Sequence, residues 1–407
     1  MKITELYNHP HRLHLETTKR CNLCCEHCYV SASDDFRHHD VTMLKKVIAD
    51  TWEKGATRLT LTGGEFLMRP DHRELIEYAI AVGYRNIYFI TNGIYLKKST
   101  LEWLANLKVR QTLKTLVPTL IKKMKPFTIG LGISLDGLEG NGIIRKYKNG
   151  NPVPFDKILN KIALATQYGL YITVNTTVCN EKTASELFQI YKKMRDLNVD
   201  RWQVDQVFMS GRSITSDAVK NNDTWIDIAK NSYYEIINDY LRVYPHKTQM
   251  KLEIVQLFRS AILEHGFKII KDDAYHPCSY QFGSVIVENE KNVRFCPSLR
   301  HAQDIIFNTT EQDISTDSYM KNPHFRTFSE LMLKDLPCRE CRYKFIAHGG
   351  CRANSVSYRD ALYAKDPVCC SLAPFLEKRI VPLLPYALQK QYISALYQEG
   401  KMPEEIL

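Results

Sequence analysis

Residues 21–28 read CNLCCEHC, which puts Cys21, Cys24, Cys25 and Cys28 into eight positions. Thiols this dense point to ligation rather than packing. Taken as pairs, Cys21-x2-Cys24 and Cys25-x2-Cys28 have the spacing of a tetrahedral zinc site. Taken as a triplet, Cys21-x3-Cys25-x2-Cys28 holds three irons of a four-iron cluster and leaves the fourth open to a small molecule. Adjacent side chains tend to diverge, so Cys24 and Cys25 are poorly placed to share one small ion. That counts against the pairs, and the rest of the chain must decide. Seven more thiols follow: Cys278, Cys296, Cys338, Cys341, Cys351, Cys369 and Cys370. Only Cys179 stands alone, beside the apolar run YITVNTTV, and reads as a small buried hydrophobe.

Four shorter motifs carry groups that suit a charged ligand. In Gly63-Gly64-Glu65 the glycines allow close backbone approach and the carboxylate suits a positively charged amino group. Thr91-Asn92-Gly93 and Ser134-Leu135-Asp136-Gly137 are turn formers. Gly211-Arg212 offers a guanidinium for a carboxylate. His27, His276 and His348 lie near cysteines but read as hydrogen-bonding bystanders.

Each motif falls at the end of a β-rich run. The runs are 13–18, 58–62, 86–91, 127–135, 171–178 and 201–208, with helical patterns such as VTMLKKVIADTWEKG and ASELFQIYKKMRDLN between them. Repeated strand–helix alternation predicts a parallel α/β sheet with crossover helices. Six units are too few for a closed eight-fold barrel, so a curved, partly open (β/α)6 barrel is expected. Ligands of such sheets bind at the carboxyl ends of the strands. The expected organisation is a barrel over 11–215, a helical connection over 216–270, a cysteine-rich domain over 271–375 and a helical tail over 376–407. The connection is read as helical from 223 to 265. SVIVENEKNVRFC in the cysteine-rich part reads as a hairpin.

Composition agrees with a multidomain globular chain: 407 residues, 44% hydrophobic and 25% charged. No apolar run is long enough to span a membrane, and none near Met1 resembles a signal peptide. A cytoplasmic location is expected, where 12 cysteines are better explained by metal than by disulfides. The net charge of +10 points to an anionic partner, partly offset once thiolates form. The basic stretch 108–125 reads as a solvated helical face, or as a contact surface for an acidic peptide. Neither nucleic acid nor membrane is expected as a partner.

Together these features resemble the radical S-adenosylmethionine (SAM) enzymes that carry a C-terminal SPASM domain, over roughly residues 11–375. The resemblance implies that Cys21, Cys25 and Cys28 hold a [4Fe–4S] cluster whose open iron is chelated by SAM, with Cys24 spare. It implies that Tyr29 packs near the adenine and that Gly63, Gly64 and Glu65 grip the SAM amino group. Ser134 and Asn92 would contact SAM, and Arg212 would pair with its carboxylate. Phe66 stands where the family usually has proline. One or two auxiliary iron–sulfur clusters are implied, one using Cys278, Cys296 and Cys351 and the other Cys338, Cys341 and Cys369. Ala347 occupies the position of a further family cysteine, so a fourth ligand is missing. Cys370 turned towards the other group, an oxygen ligand such as Asp366, and an iron left open to bind the substrate directly are the alternatives.

The activity implied is reductive cleavage of SAM to a 5′-deoxyadenosyl radical, which abstracts hydrogen from a peptide or protein substrate. Auxiliary clusters would accept an electron, giving a C–S, C–C or C–O crosslink. Formylglycine formation, as in the anaerobic sulfatase-maturing enzymes, and peptide epimerisation are the alternatives. An electron donor such as flavodoxin or ferredoxin would be required.

Overall fold

The computed structural model describes residues 7–115, 127–219, 224–244, 250–278, 283–288, 291–300 and 304–397. Six parallel strands form its centre: β1 (Arg12–Glu16), β2 (Arg58–Thr62), β3 (Asn86–Thr91), β4 (Thr128–Ser134), β5 (Tyr171–Val178) and β6 (Arg201–Gln206). These are the six expected runs, trimmed at the ends of three. Helices Val41–Glu53, His72–Val82, Lys98–Thr115, Phe155–Thr166 and Leu187–Asp196 provide the crossovers. Residues 116–125 of the basic stretch lie outside the described residues.

The side-chain alternation of the strands divides the sheet into two faces. Leu13 and Leu15 of β1, level with Leu59 and Leu61 of β2, are buried in the same core cluster as Leu44, Val47 and Ile48 of the first helix. Full burial of one such side chain stabilises by about 1.5–3 kcal/mol. The intervening residues His14 and Thr60, with Tyr88 of β3, line a cavity instead. One face therefore supplies stability while the other stays polar.

The sheet continues on both sides. The stretch read as helical from 223 to 265 holds one long helix, Thr224–Val243, and then two short strands, β7 (Lys251–Ile254) and β8 (Phe258–Arg259). β7 lies parallel to β6, and β8 returns antiparallel. These strands are too short for periodicity to separate them from a frayed helix end. The expected hairpin is present as β9 (Ser284–Glu288) and β10 (Asn292–Arg294), followed by β11 (Ile305–Asn308). β9 pairs parallel with β1, Arg12 opposite Ser284, so the sheet runs β11-β10-β9-β1-β2-β3-β4-β5-β6-β7-β8 without closing.

A buried charge network fastens β9 and β10 to β1. Glu288 accepts from Arg294 Nη2 at 2.7 Å and Arg300 Nη1 at 2.6 Å, and Arg300 also pairs with Glu16. The Arg300 guanidinium lies 4.7 Å over the Tyr29 ring, joining this network to the cysteine loop. Among the described residues, no helix is long and apolar enough to cross a membrane.

Candidate active site

A cavity of about 700 Å3 opens among the carboxyl ends of β1–β6 and extends to the opposite strand ends at Arg12 and Arg58. Cys21, Cys25 and Cys28 line it, and Cys24 does not. The loop after β1 is pinned by main-chain bonds, Cys21 N–H to Ser33 O and Cys24 N–H to Lys146 O, both 2.8 Å. Each of the three lining thiols has a donor of its own. Leu23 N–H reaches Cys21 Sγ at 3.4 Å, Ala32 N–H reaches Cys28 Sγ at 3.3 Å, and Arg145 Nη1 stands 4.0 Å from Cys25 Sγ. The Asn92 amide adds a second donor to Cys21 Sγ at 3.7 Å. Three sulfurs so provided with donors fit thiolates that share a cluster. Burial pushes the Cys25 thiol up to about 12, against the pull of Arg145, so ligation here displaces a proton.

Two expected ligand contacts are made elsewhere. The Glu65 carboxylate does not line the cavity. Its Oε1 accepts from Thr91 Oγ1 at 2.8 Å and Leu67 N–H at 3.0 Å, and its Oε2 accepts from Asn92 N–H at 2.7 Å. Burial raises its carboxyl, with these bonds acting in the opposite sense. Glu65 thus braces the ends of β2 and β3. Gly63 and Gly64 do line the cavity, but their bareness serves the chain itself. A Cβ on Gly64 would sit 2.2 Å from Arg20 O, where the cysteine loop crosses β2.

Arg212 is the second. Its Nη1 donates to Cys25 O and its Nη2 to Ala32 O, both at 2.7 Å, and its N–H donates to Cys28 O at 3.0 Å. The guanidinium expected to face a SAM carboxylate clamps the cysteine loop. Gly211, at φ +61°, brings that clamp within reach, since a Cβ there would stand 2.5 Å from Tyr29 O.

Tyr29, Asn92 and Ser134 all line the cavity, beside the three thiols. Arg145 and Asp205, not singled out in the sequence, join them. Arg145 Nε pairs with buried Asp136 at 2.7 Å, and His27 Nε2 stands 3.4 Å from the same carboxylate. Nothing in the local sequence marks Arg145. Asp205 lines the cavity too, its carboxyl pushed up to about 6 by burial. Its only sequence signal is its place as the last inward position of β6.

The C-terminal thiols form two groups. Cys278 and Cys296 lie close enough to raise the Cys351 thiol, and Cys338 and Cys341 lie close enough to raise those of Cys369 and Cys370. Cys370 thus stands with its neighbour Cys369 near Cys338 and Cys341. The helix Pro367–Phe375 begins just before them, so both thiols lie in its first turn. Asp366 is also differently placed from an oxygen ligand. Its oxygens are taken by the N–H groups of Cys351, Val368 and Cys369 and by Gln256. Both nitrogens of His276 are engaged, with Phe328 O and Cys278 N–H. Among the described residues, no three side chains converge as a single metal ion requires.

An open parallel sheet with a cysteine triplet after its first strand defines a class, and residues 15–194 match the Radical SAM superfamily, so the chain carries a radical SAM domain. Relatives place it further. It is 24% identical over 284 residues to the antilisterial bacteriocin subtilosin biosynthesis protein AlbA of Bacillus subtilis, covering 68% of this chain and 58% of AlbA. Over 367 residues it is 24% identical to an AdoMet-dependent heme synthase of Oleidesulfovibrio alaskensis, 87% of this chain and 85% of the relative. Over 408 residues it is 25% identical to PqqA peptide cyclase of Methylocella silvestris, 95% of each. A solved structure of anSMEcpe with bound AdoMet and Cp18Cys peptide superposes with a TM-score of 0.67 at 16% identity, covering 91% of this chain and 98% of that one. That likeness concerns the fold.

Proposed function

We propose that the protein is a radical SAM peptide maturase that oxidises a side chain of a ribosomally made peptide and closes a C–S, C–C or C–O crosslink. The observation that carries this reading is a cysteine triplet at the cavity of an open sheet, with two further cysteine groups in the C-terminal part of the same chain. When bound, a [4Fe–4S] cluster and SAM supply a 5′-deoxyadenosyl radical at the cavity, and the auxiliary groups supply iron–sulfur clusters that take up an electron. Cys21, Cys25 and Cys28 would hold the first cluster. Tyr29, Gly63, Gly64, Asn92 and Ser134 would surround SAM, while Glu65 and Arg212 keep its walls in place. Cys278, Cys296 and Cys351 would hold one auxiliary cluster, and Cys338, Cys341, Cys369 and Cys370 the other. Flavodoxin or ferredoxin would deliver the electron. The kinship with a bacteriocin biosynthesis protein and a peptide cyclase, and the fold shared with a peptide-bound structure, support a peptide substrate.

The test is anaerobic reconstitution with SAM, reductant and candidate peptides, read by 5′-deoxyadenosine release and peptide mass. Loss of two hydrogens supports crosslinking. A hydrazine-reactive aldehyde indicates formylglycine, and unchanged mass with solvent deuterium indicates epimerisation. SAM turnover stimulated by a tetrapyrrole and by no peptide would instead follow the heme synthase relative, and would end the peptide reading.

A further inference from the structure

One wall of the cavity is tied to both auxiliary cysteine groups by buried amides and a single carboxylate. Gln206, at the end of β6, is buried and lines the cavity. Its Nε2 donates to Gln256 Oε1 at 2.9 Å, and Gln256 Nε2 donates to Asp366 Oδ2 at 2.6 Å. Asp366, 1% exposed, then accepts from the N–H of Cys351 at 2.7 Å and of Cys369 at 3.2 Å, one from each group. Wholly buried Asn354 donates to Gln256 Oε1 at 3.0 Å and to Asp366 Oδ2 at 3.4 Å, which closes the chain on itself.

Gln256 holds this place in a strained backbone. It sits in the turn between β7 and β8 at φ +64°, the left-handed region that glycine enters without penalty. A turn that served only to reverse the chain would be better made by glycine. Strain of this kind persists where the surroundings fix the residue, and it gathers at working sites. Here the surroundings are a side-chain amide used at both ends, its oxygen facing the cavity wall and its nitrogen facing the carboxylate.

The geometry points to Gln256 as a positioning residue that anchors both auxiliary cysteine groups to the substrate wall and, through its N–H, offsets the Asp366 charge that both groups feel. Asp366 bears on Cys278 and Cys351 in one group and on Cys338, Cys369 and Cys370 in the other. A negative charge shared in this way makes any cluster held there harder to reduce, and a donor aimed at that charge opposes the effect. This inference rests on the reading of these thiols as cluster ligands, and is independent of the substrate.

The experiment uses the full chain, loaded anaerobically with iron and sulfide and titrated with reductant in the absence of substrate. The auxiliary signals are followed by electron paramagnetic resonance. Gln256→Gly removes the amide and relieves the backbone, so it should keep iron content at the parent value while auxiliary potentials move negative. Asp366→Asn should move them positive. Gln256→Asn, which tolerates the same backbone but is one carbon shorter, should behave like Gln256→Gly. Potentials and line shapes unchanged in Gln256→Gly would overturn the assignment, as would an absence of iron outside the Cys21–Cys28 site. If the potentials shift as stated while no peptide is modified, the positioning role stands and the proposed substrate falls.

Discussion

Replacing Glu65 with glutamine distinguishes a carboxylate that braces the protein from one that meets a ligand. The amide keeps one oxygen for Thr91 Oγ1 and Leu67 N–H, but its nitrogen then faces Asn92 N–H, donor against donor. The loss of one hydrogen bond to a charged group is about 1.5–3 kcal/mol, and the buried N–H left unsatisfied adds about 1–3 kcal/mol. Burial already disfavours the carboxylate, so its removal returns part of that loss. A net destabilisation of about 2–4 kcal/mol follows. Turning the amide over moves the conflict to Thr91 and Leu67 and does not help. Because the Asn92 side chain donates to Cys21 Sγ and to Asn22 Oδ1, displacing Asn92 also loosens the cysteine loop. The assay is the urea midpoint of metal-free protein together with iron per chain after reconstitution, and both should fall. If both stay at parent values while SAM affinity alone weakens, the carboxylate works on the ligand and this account of Glu65 is wrong.

Cys25→Ala should abolish 5′-deoxyadenosine formation, as should Cys21→Ala and Cys28→Ala, whereas Cys24→Ala should retain it; equal loss in all four would restore the paired-thiol reading. Gly211→Ala should cost about 1–3 kcal/mol in backbone strain and more from the 2.5 Å approach to Tyr29 O, with loss of cluster binding. Gly150→Ala, at φ +82° with nothing within 4 Å, measures the strain alone by the same denaturation assay. Asp205, raised from 3.8 to about 6 by burial, gives a signed pH effect. A carboxyl raised in the folded state carries no penalty below its unfolded pKa and a full one above its folded pKa. Asp205→Asn should therefore be more stable than the parent at pH 7, by about 1–2 kcal/mol once the partly buried site is discounted for screening, with the gain vanishing below about pH 4. Urea midpoints at pH 4 and pH 7 measure it.

The six central strands were legible because alternation and crossover helices both repeat, and errors at single ends do not disturb either. β7 and β8, of four and two residues, offer no such repetition, and tertiary pairing alone makes them strands. Motif positions were legible too: every one lies at a carboxyl strand end. Side-chain direction was not. Glu65 and Arg212 have the charges that a zwitterionic ligand needs, yet both turn to the chain's own N–H and C=O groups, a choice made by loops distant in sequence. The adjacency that separates Cys24 from Cys25 in an extended loop fails for Cys369 and Cys370, which open a helix instead. Arg145, Gln256 and Asn354 carry no motif at all, and only their partners reveal them.

The parallel seam between Arg12–Glu16 and Ser284–Glu288 bears on how the gene can be cut. A fragment ending near residue 215 would bare the β9 side of β1 and the β7 side of β6, and would leave Glu16 buried without Arg300. Two unprotected strand edges flanking an apolar sheet are templates for intermolecular pairing, so such a fragment should enter inclusion bodies. Swapping the cysteine-rich region between homologues meets the same constraint: the graft must begin before residue 284 and carry 284–308 with it. What looks in sequence like a detachable module is, in manufacture, half of the first one's wall.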